Sequence, residues 1–162
     1  MKRLLVVIAV ASPMLCASSV EAQVVDPTIL EGLRRHVPPE HPLQDDSPPN
    51  EIIEARLRIA SRQFNAALDR VFPSSSLSKP DRTAVSSLLE WSTKCMEARL
   101  EAADRDSDRK VAYAIEAARF RKIEGLVLER LRGPAASFSA EDADRVAFHR
   151  LGLDLKQATL GR

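Results

Sequence analysis

The stretch from Asn50 to Phe72 reads NEIIEARLRIASRQFNAALDRVF, and its spacing decides the fold. Ile53, Leu57, Ala60, Phe64, Ala67 and Val71 follow one another at intervals of 4, 3, 4, 3 and 4 residues. An α-helix turns once every 3.6 residues, so these six side chains share one face. A seven-residue repeat sustained over about three heptads predicts packing against another helix. Asn50, after Pro48-Pro49, is a good N-cap, and Pro73 with Ser74-Ser75-Ser76 ends the segment.

The same rhythm continues downstream. Ala84, Leu88, Trp91, Cys95, Ala98 and Ala102 repeat the 4, 3, 4, 3, 4 spacing on a second helix that starts near Pro80. Leu89, Met96 and Ala103 form a second row beside it, giving a wide face suited to more than one neighbour. Asp104 to Asp108 is a polar break. A third helix over about 108–132 carries Tyr113, Ala117, Phe120, Ile123, Val127 and Leu131, and Gly133-Pro134 stops it. A fourth starts near Ala140, with Ala143, Ala147, Leu151, Leu155 and Ala158 expected on its inner face. Acid precedes base at i,i+4 in Glu54/Arg58, Glu90/Lys94, Glu101/Arg105 and Glu141/Arg145, the order that favours a solvated helix face.

Upstream the text is different. Residues 23–50 hold six of the ten prolines, which excludes long helices and strands and favours extended chain. One short helix is predicted there, with Asp26 as cap, Pro27 at the first position, Thr28 to His36 following, and Ile29, Leu30 and Leu33 on one apolar side. The rest of 23–50 reads as an arm, so its deletion is expected to leave the thermal midpoint nearly unchanged.

The first 22 residues read as a secretory signal peptide. Met1-Lys2-Arg3 is a basic start, Leu4 to Ala11 an apolar run, and Val20-Glu21-Ala22 a small-residue cleavage site. An apolar run of eight falls far short of the roughly 20 residues that span a bilayer. Cys16 follows Leu15 rather than a small residue, which argues against lipid attachment. Cleavage after Ala22 removes Lys2, Arg3 and Glu21, leaving 22 basic and 22 acidic side chains and a single cysteine, Cys95. One cysteine forms no internal disulfide, so core packing must supply the stability. The expected location is the periplasm or the extracellular space, with no transmembrane segment in the mature chain.

Composition removes several function classes. Lys plus Arg is 24 and Asp plus Glu is 23, a balance that argues against a nucleic-acid binder or an acidic tail protein. Five glycines in 162 residues argue against turn-rich β folds and phosphate-cradling loops. Trp91, Tyr113 and the five phenylalanines mostly fall at helical spacing and read as core rather than as a platform for bases.

The candidate chemical motifs fail on geometry. His36 and His41 bracket Val37-Pro38-Pro39-Glu40, but a zinc-protease motif needs its ligands one turn apart on a helix, which Pro38 and Pro39 forbid. That leaves the pair at most a casual surface site for a transition metal. Asp104, Asp106 and Asp108 match the first ligand positions of a calcium loop. Arg109 then stands where the turn needs glycine, and Ile115 where the bidentate glutamate belongs. No serine sits in a nucleophile elbow. His149, the one histidine on a long core helix, is expected to make an interhelix hydrogen bond or to be partly exposed. Cys95, in the heptad row, is expected to be buried as a small apolar residue, the alternative being an exposed thiol that forms an intermolecular disulfide. The sequence thus nominates no catalytic, cofactor-binding or metal residue.

The chain also looks duplicated. Leu77-Ser78-Lys79-Pro80-Asp81 opens the second long helix, and Phe138-Ser139-Ala140-Glu141-Asp142 opens the fourth, 61 residues later. Both read as a capping box with an apolar staple. Residues 109–158 resemble the helical hairpin repeat of TolC-type outer-membrane efflux proteins. The match runs through Leu131-Arg132-Gly133, Ser139-x-x-Asp142, Arg150, Leu155 and Ala158. From Trp91 through Ala158 the chain is similar to small secreted all-helical bacterial proteins of unassigned function. The two caps also resemble the paired Leu-Thr-x-x-Gln motifs of Spy/CpxP-type periplasmic chaperones and stress sensors, with Ser in place of Thr and Asp in place of Gln.

The expected fold is therefore all-α: a signal peptide over 1–22, a Pro-rich arm over 23–50, and a helical domain over 51–160. That domain is an antiparallel four-helix bundle or two stacked helical hairpins. The expected function is non-enzymatic binding or bridging, through self-association or an envelope protein docked on an apolar helix face. What the resemblance adds is association with efflux or, alternatively, a chaperone or stress-sensing role.

Overall fold

The computed structural model describes residues 24–40, 48–73, 81–132 and 137–160. They form five helices: α1 (Pro27–Leu33), α2 (Pro49–Val71), α3 (Ala84–Glu101), α4 (Asp106–Arg132) and α5 (Ala140–Thr159). The fold is all-α, as the spacing predicts. α2 packs along α3 and α4 along α5, making two hairpins that meet where α3 touches α4 and α5, while α1 lies against α4. The residues expected to form a signal peptide, His41, Leu77-Ser78-Lys79-Pro80 and Gly133-Pro134 lie outside the described residues.

The core follows the predicted rows on three of the four long helices. Ile53, Ala60, Phe64, Ala67 and Val71 of α2 are buried, with Leu57 packed beside them. Leu88, Cys95 and Ala98 of α3 and Tyr113, Ala117, Phe120, Ile123 and Val127 of α4 are buried as well. Trp91 is half-buried under Lys94, whose Nζ lies 4.2 Å from the ring centroid. Ala102, at the end of its row, is exposed. Of the i,i+4 pairs, Glu90–Lys94 closes at 2.7 Å and Glu141–Arg145 at 2.5 Å. Glu101 reaches across to Arg56 instead, at 3.0 Å, and Arg58 donates to the Pro39 carbonyl.

The start of α5 is the capping box read from the sequence. The Asp142 amide donates to Ser139 Oγ at 3.2 Å, and the Ser139 amide donates to Asp142 Oδ2 at 2.8 Å. Phe138 staples the entry by packing on Phe72, with ring centroids 5.8 Å apart. At the start of α3 Asp81 survives the loop as a turn residue. Its Oδ1 accepts from the Thr83 amide at 3.0 Å, and the helix begins at Ala84 rather than near Pro80.

Asn50 does not cap α2: the helix begins at Pro49, Pro48 stands at the cap position with no side-chain cap bond, and Asn50 lies inside the first turn. Two larger expectations change. The predicted inner face of α5 is largely its outer face: Leu151 is 53% exposed and Leu155 66%, whereas Ala143, Val146 and Leu153 are buried. Apolar residues recur on both sides of this helix. Its rotation follows the polar anchors Asp142, which meets Arg82, and His149, which meets Ser92. The second change concerns the arm. The short helix forms behind its Asp26 cap, with the Thr28 amide donating to Asp26 Oδ1 at 2.8 Å. Val25, Leu30 and Leu33 then enter the same core as the long helices, while Ile29 stays 43% exposed. The first part of the arm is therefore seated in the core, and the expected indifference to its deletion does not follow.

Candidate functional site

Polar side chains gather where the core rows of α3, α4 and α5 converge. Ser92 stands between Leu88 and Cys95 on the inner face of α3, and Glu116 between Tyr113 and Phe120 on the inner face of α4. Both are fully buried. The residue facing them comes from the chain after α1. Asn65 of α2 grips the Arg35 backbone at two points, its Oδ1 accepting from the Arg35 amide at 2.8 Å and its Nδ2 donating to the Arg35 carbonyl at 3.0 Å. That clamp directs the Arg35 side chain inward. Its guanidinium lies 4.4 Å from the centroid of the Phe64 ring and forms a fully buried ion pair with Glu116.

Glu116 joins the rest. Its Oε1 accepts from Arg35 and from Ser92 Oγ, the latter at 2.6 Å, and its Oε2 accepts from Arg119 Nη1 at 2.5 Å. His149 of α5 completes the cluster with Nε2 3.1 Å from Ser92 Oγ and its ring on Phe120, centroids 4.5 Å apart. A hydroxyl has one proton. Because Ser92 gives that proton to Glu116, the Ser92–His149 bond requires the imidazole to donate from Nε2. Burial lowers the His149 pKa, the Arg35 and Lys156 charges add to this, and Glu116 partly offsets it. Burial also pushes Arg35 down to about 10, against the opposing pull of Glu116.

A serine beside a histidine and a glutamate invites comparison with nucleophilic catalysis. There the base accepts the hydroxyl proton and the acid orients the base. Here the carboxylate takes that proton, the imidazole is the donor, and the hydroxyl is sealed from solvent. The arrangement is a tie between the α1 segment, α3, α4 and α5. It realises the interhelix hydrogen bond expected of His149. Cys95 also lies where expected, fully buried with its Sγ 4.0 Å from Ser61 Oγ, and burial pushes its thiol pKa up.

The cluster has a stability consequence with a defined sign. A histidine whose folded-state pKa is lowered keeps its full contribution above the unfolded value of about 6.5 and loses it as pH falls toward the folded value. We expect the denaturant midpoint to drop between pH 7.5 and 5.5, and His149→Gln to flatten that slope. An equal slope in both proteins would show that His149 is not the responsible group.

His149 also reaches the surface. Beside it, a groove of about 400 Å³ opens between α3, α4 and α5. Its floor is apolar, with Leu89, Met96, Leu100 and Tyr113 among its lining residues. Glu97 stands on the α3 side and Lys156 on the α5 side. Phe148 forms part of the wall and is 81% exposed.

The other nominated motifs dissolve into local structure. Asp106 and Asp108 occupy the first turn of α4, where carboxylates favour the helix N-terminus. His36 is exposed. Among the described residues no group of three or more His, Cys, Asp or Glu side chains is placed to hold a metal ion. No described helix is long and apolar enough to cross a membrane. Sequence reasoning missed Arg35, Ser92, Glu116 and Arg119. For Ser92 and Glu116 the signal was present, a polar residue in register with a core row. No protein-family model, curated protein or solved structure matches the chain.

Proposed function

We propose that the protein acts outside the cytoplasm by binding protein through the outward face of α5, and not by chemistry on a small substrate. The observation that carries this reading is the exposure of Phe148 (81%), Leu151 (53%) and Leu155 (66%) along one helix. Isolated apolar residues at a surface need no explanation, but three in register on one face mark an interaction site. The hairpin that presents them also turns Val111 and Ile115 of α4 to solvent. The basic start, apolar run and small-residue site at the N-terminus support export. The likeness of the second hairpin to TolC-type helical repeats supports an envelope setting, with efflux as the process served.

The test is crosslinking in intact cells with a photoreactive side chain at position 148 and a control at position 29, which is also exposed but lies on α1. The expected result is a discrete adduct from position 148 and none from 29. Absence of any adduct from 148 would overturn the reading. So would suppression of client-protein aggregation that Phe148→Asp leaves unchanged, because the working surface would then lie elsewhere.

A further inference from the structure

We propose that the occupant of this face is a second copy of the same chain, its α5 packed antiparallel against the first with the crossing at Gly152. The proposal rests on the α5 reading above and identifies the partner.

The first support is the pattern on the helix. Phe148, Leu151, Leu155 and Ala158 follow at intervals of 3, 4 and 3 residues, the spacing of a two-helix seam. The opposite side of α5 already packs inside the chain through Ala143, Val146 and Leu153. A helix apolar on both sides needs two partners, and the chain provides one of them.

The second support is Gly152, midway along that outer face. Glycine inside a helix weakens it, and is kept where a turn or a close approach demands it. Neither demand arises among the described residues. Among the described residues no glycine has positive φ, and a Cβ built on Gly152, as on Gly32 and Gly125, meets nothing within 4 Å; of the three, Gly152 is the one on α5. A helix arriving from outside would use the space, because a bare Cα lets two backbones approach.

The third support is charge. Glu97 makes no ion pair among the described residues, and Lys156 covers the Tyr113 ring at 5.9 Å without meeting a carboxylate. They stand on opposite walls of one apolar groove. An isologous contact makes every interaction twice, so it suits a patch that carries both signs. Phe148 lies four residues before Gly152 and Lys156 four after it, so antiparallel crossing at Gly152 sets Phe148 on the stem of Lys156 of the second copy. The same rotation brings that ammonium toward Glu97. With residues 1–22 removed, 22 basic side chains balance 22 acidic ones, so the copies have little mutual repulsion to overcome.

Sedimentation of the exported protein across a concentration series reads the result. We expect a reversible dimer. Phe148→Asp and Gly152→Leu should each weaken it by at least about tenfold in Kd. Both positions face solvent and leucine is the better helix former, so at concentrations where every variant is monomeric neither change should lower helix content. Glu97→Lys should weaken it similarly, and adding Lys156→Glu should restore it, a rescue that general loss of structure cannot produce. A dimer indifferent to all three changes would overturn the proposal. So would a monomer at every concentration. If that monomer still yields a position-148 adduct to another protein, the binding reading stands and only the second copy falls. If it yields none, both fall.

Discussion

Glu116→Ala should destabilise the protein by about 3–5 kcal/mol, the cost of removing one partner from a buried ion pair and leaving the other charge uncompensated. Among the described residues Glu116 is the acid that pairs with both Arg35 and Arg119, and both its oxygens are engaged. With the carboxylate gone, Arg35 keeps a charge in a site with no solvent contact, Ser92 loses its acceptor, and His149 loses the hydroxyl orientation it bonds to. Among the described residues Arg35 Nε and Nη1 and Arg119 Nε have no hydrogen-bond partner, so the cluster is under-satisfied even when intact. That predicts a second result. Replacing the pair together, Arg35→Met with Glu116→Leu, should cost much less than Glu116→Ala, because packed apolar groups carry no desolvation penalty. Urea unfolding of the three proteins measures both effects. A loss under about 1 kcal/mol for Glu116→Ala would mean that the cluster is solvated and behaves as a surface pair does.

The contrast between the two kinds of core contact explains what the sequence revealed and what it hid. The row on α2 was legible because that helix has one dominant apolar face, and the row on α4 because its large side chains keep the seven-residue spacing even though Val111 and Ile115 lie outside it. α5 offers two such faces. Periodicity alone favours the Leu151–Leu155 side, yet the chain buries the side that carries Asp142 and His149. Their partners, Arg82 and Ser92, lie about 60 residues away in sequence, beyond the reach of any local pattern. Ser92 and Glu116 occupy core registers and were readable as anomalies. Arg35 was not, because nothing periodic surrounds it. It follows a seven-residue helix and precedes the paired prolines, and only the Asn65 clamp on its backbone explains why so polar a side chain turns inward. Two apolar faces on one helix are ambiguous for folding and informative for function, since the face not used inside the chain is the one left for a partner.

The same reasoning makes the N-terminal segment a strong test of the architecture. Leu33→Ala should cost about 2–5 kcal/mol, the range for emptying a fully buried leucine site. A helix of seven residues is too short to persist in water by itself, so α1 owes its existence to what it packs against. Leu30 and Leu33 supply that packing on one side, and Arg34 adds an exposed bridge to Asp69 of α2 at 2.9 Å. One residue further on, Arg35 enters the buried cluster, so loosening Leu33 also loosens the anchor of the ion pair. Leu33→Ala and Glu116→Ala should therefore couple: the double mutant should lose less than the two single losses added together. Ile29→Ala, on the exposed side of the same helix, should change stability by no more than about 0.5 kcal/mol. Denaturant midpoints of the four variants and the parent protein decide the matter. If Leu33→Ala behaves like Ile29→Ala, α1 rests on the surface and Arg35 is held by Asn65 alone. If it behaves as expected, the segment from Val25 to the paired prolines is a fifth core element, and it joins the two hairpins through Glu116.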